Sequence, residues 1–243
     1  MTDQEQPLIS HLVELRNRLL KAILLVLAIF LGLFYFANDL YLILVKPLSV
    51  LLPNTGNMIA TGVASPFLVP FKMTLVMAVL LAVPFILHQI WGFISPGLYQ
   101  HEKKFGIPLL VSSVILFYSG IAFAYFVVLP LAFGFFSMAG PEGISFMPDI
   151  SNILDFILKI FFAFGIAFEI PVATFLMVLS GITTVEALSS KRPYIFVGCF
   201  VVGMLVTPPD VISQTILAVP MYMLFELGVI ASRLIKKEKD DTE

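Results

Sequence analysis

Apolar runs of membrane-spanning length recur along the whole chain, separated by short breaks rich in Pro, Gly and charged residues. A helix needs about 20 apolar residues to cross the hydrocarbon core. Runs at about 19–37, 67–91, 107–136, 153–180 and 211–232 meet that requirement, and a shorter one covers about 194–207. Counted from Pro193 to Thr207, this fifth run gives about 20–22 Å of helix at 1.5 Å per residue, so it crosses only where the bilayer thins. Hydrophobic residues make up 59% of the 243 and charged residues 12%, about half the usual charged share, which excludes an ordinary soluble domain. The expected fold is an all-α integral membrane protein. It has one transmembrane domain over residues 1–243, six transmembrane helices with the fifth and partly the sixth short, and long structured external loops.

Six crossings place both termini on one side. Arg16, Arg18, Lys21, Lys103, Lys104, Lys191, Arg192, Arg233, Lys236, Lys237 and Lys239 all fall on that side, leaving only Lys46, Lys72 and Lys159 elsewhere. The positive-inside rule makes it the cytoplasm. A net charge of -2 carries no signal for nucleic acid, because here the local charges near helix ends matter.

From Pro7 onward, Leu8, Leu12, Leu15 and Leu19 recur at helical spacing and Glu14–Arg18 forms an i,i+4 pair, which predicts a short amphipathic helix over residues 1–18 on the cytoplasmic membrane surface. A signal peptide is excluded, since the apolar run 19–37 is long for one and no small-residue cleavage site follows. Residues 38–66, with Pro47, Pro53 and an Asn54–Asn57 turn, read as a long external connection folded against the membrane. Ser95-Pro96-Gly97 opens the cytoplasmic loop LYQHEKK, which carries Glu102. The fourth helix is expected near Ser151, with Asp155 and Lys159 four apart. Thr183 and Glu186 have capping-box spacing for a brief surface helix. Asp210 is placed to cap the last helix, which contains Pro220, and 233–243 form a cytoplasmic tail.

Glu169 stands well inside the fourth run, with Pro171 two residues on. A carboxylate at that depth costs several kcal/mol unless it meets water, a partner or a proton, so it is a functional candidate. Pro171 removes a backbone donor, crowds the carbonyl of Ala167 and kinks the helix beside the acid. Gly165 and Ala173, one turn to either side, make room for another helix or reflect small-residue packing within the chain. Gln214 and Glu226 form a deeper polar group with Glu169. No G-x-S-x-G, H-E-x-x-H or phosphate loop occurs, so enzyme activity is not expected. Cys199 lies in an apolar run, and His11, His88 and His101 lack ligand spacing, so neither metal nor cofactor is expected. Glu14 and Glu102 come from segments at one membrane face. Each carboxylate there can take a guanidinium in a fork that lysine cannot reproduce, and an extended ligand with two consecutive arginines points them to opposite sides.

The segments LISHLVELRNRLL, LYQHEKK, FGIAFEIPVA and FVVGMLVTPPDVISQTILAVPMYMLFELGV resemble the TatC family, the polytopic subunit of the twin-arginine protein translocase. The resemblance covers nearly the whole chain. It implies a multi-pass protein of the bacterial inner membrane, cytoplasmic at both ends, that binds twin-arginine signal peptides of folded precursors. With TatA-like and TatB-like single-span subunits, and as a homo-oligomer within a larger complex, it exports them using the proton-motive force. By motif, Glu14, Arg16, Phe93 and Glu102 match the signal-recognition site. Pro47, Tyr125, Glu169 and Asp210 match other positions on which the family depends. The short fifth helix resembles its docking face, with Met204, Thr207 and Gln214 as contacts. Arg16 cannot accept from an arginine; orienting a carboxylate or contacting a lipid phosphate are its two readings. The alternative function is a proton-coupled small-solute transporter with Glu169 as relay, against which the absence of internal repeats counts. An intramembrane hydrolase lacks a nucleophile and a base.

Overall fold

The computed structural model describes residues 5–49, 58–94, 106–138, 149–207 and 210–240. These are helical apart from turns and one isolated bridge between Ile59 and Asp149. In chain order the helices are α1 (Glu5–Leu33), α2 (Ala37–Ser49), α3 (Ser65–Ile94), α4 (Gly106–Phe123), α5 (Leu129–Met138), α6 (Ile150–Ala167), α7 (Ile170–Leu179), α8 (Val185–Ser190), α9 (Arg192–Val206) and α10 (Val211–Asp240). A 3-10 turn, Phe34–Phe36, joins α1 to α2, and a π-helical turn, Ala124–Val128, joins α4 to α5. Five helical stretches, His11–Leu44, Ser65–Phe93, Gly106–Phe136, Ile150–Leu179 and Val211–Arg233, are long and apolar enough to cross a membrane. The apolar helix α9, at 15 residues, is shorter.

At the N-terminal end the helix bounds differ from the expected segments in two places. The surface helix and the first span are one element, because nothing between Glu5 and Leu33 breaks α1. The connection expected from Asn38 begins as helix: α2 runs to Ser49 and contains Pro47. Asp39 in its first turn favours the helix dipole, and Leu40 to Val45 are helix-compatible, so Asn38 and Pro47 do not act as breakers. At the C-terminal end α10 continues beyond Ser232 to Asp240.

The helices fall into two compact units. In the first, residues 1–44 and 64–114, α1 lies along α3. Phe30 and Phe34 pack edge-on against Phe71, with ring centroids 5.2 and 6.1 Å apart. Much of α1 remains uncovered, with Leu12, Leu19, Leu24, Leu27 and Leu31 exposed, as suits a helix whose solvent is lipid.

In the second unit, residues 45–63 and 115–243, α10 packs along α7 and α9. The buried face of α6 carries Ile153, Leu154, Ile157, Ile160, Phe161 and Phe164. Glycines set the close approaches. A Cβ at Gly120 would lie 2.6 Å from the carbonyl oxygen of Phe164, and one at Gly165 would lie 2.6 Å from the Phe117 ring. After α7 the chain reverses at Gly181, whose φ of 70° is a left-handed value that suits glycine. The brief helix expected next is α8. Its cap is Thr184, which accepts from Ala187 N–H at 3.2 Å, one residue beyond the expected Thr183.

Candidate functional site

On α1, residues 11, 14 and 18 share one helical face, and in the first unit that face meets the C-terminal end of α3. Glu14 Oε1 accepts from Arg18 Nε at 2.9 Å and from Arg18 Nη2 at 2.6 Å. The same Nη2 donates to the carbonyl of Gly92 at 3.0 Å, one of the late carbonyls of α3, where the helix dipole favours a cation. Gly92 provides the space: a Cβ there would run into the Arg18 guanidinium. Beside it the His11 ring stacks on Phe93, centroids 4.1 Å apart and planes 20° apart. His11 Nδ1 stands 3.9 Å from Glu14 Oε2. The patch therefore joins two sequence candidates, Glu14 and Phe93, through two residues that were not candidates, His11 and Arg18. The i, i+3, i+7 spacing of 11, 14 and 18 was the available signal. Arg16 points elsewhere, donating to the side chain of Asn17 at 3.2 Å. Glu102 and the loop around it lie outside the described residues.

The expected break at Glu169 is present. Helix α6 ends at Ala167 and α7 begins at Ile170, with Phe168 and Glu169 as the turn. Pro171 has no N–H for the Ala167 carbonyl, so Glu169 N–H bonds three residues back to Ile166 at 3.0 Å, and the ladder resumes with Ala173 N–H to Glu169 C=O at 2.9 Å. The Oε1 atom of the carboxyl is shielded from solvent. Of the two small neighbours, Gly165 is buried against Phe117 of the same chain, so on that side the small residue serves internal packing. Ala173 is exposed.

The deeper polar group separates. Glu226 forms a fork with Arg192 at the start of α9, both bonds 2.7 Å, and accepts from Tyr222 O–H at 2.8 Å. Gln214 lies where α10 meets α9: a Cβ on Gly203 would be 3.4 Å from its carbonyl oxygen. Asp210 caps α10 as expected, accepting from Ser213 N–H at 2.7 Å. Thr207 is 6% exposed, and its hydroxyl donates to the Gly203 carbonyl at 2.9 Å. Met204 is 50% exposed. Tyr125 sits in the π-helical turn, its ring 6.3 Å from that of Phe161. Pro47 falls in α2, and its side chain, like Pro208 and Pro209, lies outside the described part.

Asp149 was missed by sequence reasoning. It caps α6 through Ser151 and Asn152, and its Oδ2 accepts from Thr61 N–H at 2.8 Å and Thr61 O–H at 2.7 Å. Those bonds from Thr61, reinforced by the two cap N–H groups, hold its carboxyl down at about 2. Next to it a recess of about 680 Å³ is lined by Asp155, Lys159, Phe133, Phe156 and Thr207. Among the described residues no group of His, Cys, Asp and Glu could hold a metal ion.

The family described as Sec-independent protein translocase protein (TatC) matches residues 10–220. The chain belongs to the TatC family. The TatC protein of Azotobacter chroococcum is 59% identical over 239 residues, which is 98% of this chain and 94% of that one. That of Escherichia coli K12 is 56% identical over 231 residues, 95% and 90% of the two chains. A crystal structure described as the twin-arginine translocase receptor TatC superposes with a TM-score of 0.83 at 37% identity, covering 92% of this chain and 98% of that one. This TatC chain is thus a membrane protein of a protein translocase. These similarities give no support to a small-solute carrier.

Proposed function

We propose that this TatC protein is the core receptor subunit of the twin-arginine translocase. It binds the twin-arginine signal peptide of a folded precursor at the cytoplasmic face of the bacterial inner membrane. With TatA-like and TatB-like single-span subunits it exports that precursor using the proton-motive force. The observation that carries the reading is the Glu14 carboxylate, which already holds a guanidinium by two N–H donors next to the His11 ring that stacks on Phe93. A site that fits Arg18 fits an arginine of the same chemistry from outside. Glu102 is the second acceptor, and an extended peptide whose consecutive side chains diverge needs two. Arg16, exposed and turned from Glu14, contacts lipid phosphate.

The chain crosses the membrane six times as a single domain, with α9 as the short crossing and both termini cytoplasmic. In support, α9 leaves Tyr194, Val197, Val201 and Leu205 exposed at helical spacing, a stripe onto which a single-span helix can pack with Met204. Thr207 and Gln214 act from beneath, by holding α9 on α10. Glu169 offers a polar contact at the helix break, reached from the Ala173 side. Pro47, Tyr125 and Asp210 shape the scaffold: α2, the π-helical turn and the cap of α10.

The test is a titration of the purified protein, in detergent or nanodiscs, with a twin-arginine peptide and its double-lysine counterpart. Weaker binding of the lysine peptide is expected, because a point charge cannot make the fork. Equal affinity for the two peptides would overturn the assignment of Glu14 and Glu102.

A further inference from the structure

Arg18 raises a question that the receptor reading alone leaves open: the carboxylate meant for an incoming arginine is already in use. Both donors go to one oxygen, Glu14 Oε1, at 2.9 and 2.6 Å. A carboxylate oxygen offers two lone-pair sites, so Oε1 is saturated by Arg18. A second guanidinium docking as a fork needs both oxygens. It therefore cannot take its best geometry while Arg18 stays in place. Arg18 also has somewhere to go, since its Nη2 already donates to the Gly92 carbonyl at 3.0 Å. The group is accessible as well: the Glu14 side chain is 37% exposed and that of Arg18 25%.

We propose that Arg18 is a built-in occupant of the arginine site, so that the signal peptide binds by exchanging one guanidinium for another at Glu14. The proposal rests on Glu14 being an arginine acceptor, and it adds a regulation of that site. In the resting chain Arg18 neutralises Glu14 and keeps it from the lysines and small cations of the cytoplasm. When a peptide arginine arrives, Arg18 moves onto the carbonyls at the end of α3, whose dipole stabilises it. The internal competitor adds the same cost to every ligand of Glu14. A single arginine does not recover that cost. A ligand that gains a second acceptor and an apolar contact elsewhere does.

The experiment is a double-mutant cycle on the full-length protein, read by titration with a fluorescent twin-arginine peptide at fixed salt. Arg18→Gln keeps an N–H for Gly92 and a good helix former in α1 while removing the competitor. The expected result is tighter binding by about two- to fivefold, the range for a part-exposed ion pair. In a Glu14→Gln background the same substitution should give no gain. Weaker or unchanged binding by Arg18→Gln overturns the exchange and makes Arg18 a structural tie between α1 and α3. So does an equal gain in the Glu14→Gln background. If instead Glu14→Gln alone leaves the affinity of the otherwise native protein unchanged, it is the receptor site at Glu14 that fails. Should Arg18→Gln not yield folded protein, Arg18→Lys serves, with a smaller gain expected and unchanged or weaker binding as the refuting result.

Discussion

Placing a methyl group on Gly228 tests how closely the acid-bearing turn is held. Gly228 on α10 faces α7, and a Cβ there would lie 2.8 Å from Pro171 Cα and 3.3 Å from Thr174 Cβ, and nearer still to Thr174 Oγ1. Carbon atoms settle at about 3.5–4 Å, so the Pro171 contact alone asks the two helices to part by about 1 Å. Pro171 Cα is backbone and cannot rotate away. The expected cost of Gly228→Ala is about 1–3 kcal/mol, the range for overpacking a fitted interface. Thr174→Ala removes Oγ1 but leaves Pro171, so it should relieve only part, with a coupling of about 1 kcal/mol. The assay is thermal or denaturant unfolding of the purified protein for the four members of the cycle. A Gly228→Ala protein as stable as the parent refutes the close approach, and strict additivity with Thr174→Ala refutes the assigned contact.

Three further outcomes follow from the same geometry. Asp149 has its carboxyl lowered from 3.8 to about 2, so its contribution to stability is present above about pH 4 and is lost as pH falls from there towards 2; Asp149→Asn should flatten the melting temperature over that window, and an unchanged acid limb would sink the assignment. Arg192→Gln leaves Glu226 with Tyr222 but without its fork; with both side chains partly in contact with solvent the unfolding midpoint should fall only slightly, and an unshifted midpoint would show the pair to be inert. Glu169→Gln should retain substantial export while Glu169→Leu loses more, because only the former keeps a hydrogen-bonding group; equal export by both and by the parent refutes a polar contact there.

Local patterns were legible and distant pairings were not. The five long apolar helices, the brevity of α9, the Asp210 cap and the break before Pro171 all rest on runs or spacings of a few residues. Helix α2 was hidden because Asn38 and Pro47 read as loop signals, although the residues between them suit a helix. The Glu14–Arg18 bond was visible as an i,i+4 pair. Its continuation to Gly92 crosses 74 residues, and no local pattern points to it. The same holds for Arg192 with Glu226, 34 apart, and Thr61 with Asp149, 88 apart. Gly165 left two readings open for a related reason: a small residue on a membrane helix fits an incoming partner and an internal aromatic equally well, and the position of Phe117 decides for the internal one.

Glu169 sits at one of two backbone irregularities that support each other. A bilayer tolerates non-helical backbone only where protein or water covers it. The π-helical turn at Ala124–Val128 buries Ala124 and Val128, and the α6–α7 break at Phe168–Glu169 lies beside it. Phe123, which opens the π turn, packs its ring 5.5 Å from that of Phe164 and 5.7 Å from that of Phe168. Gly120, one turn earlier on α4, lets that helix approach the Phe164 carbonyl itself. Across the other side, Gly228 brings α10 against Pro171. The turn that carries the acid is thus wedged between α4 and α10, and its geometry is set before any partner arrives. A backbone held this way needs no reordering when a second helix docks in lipid, and that saving is what the contact proposed at Glu169 draws on.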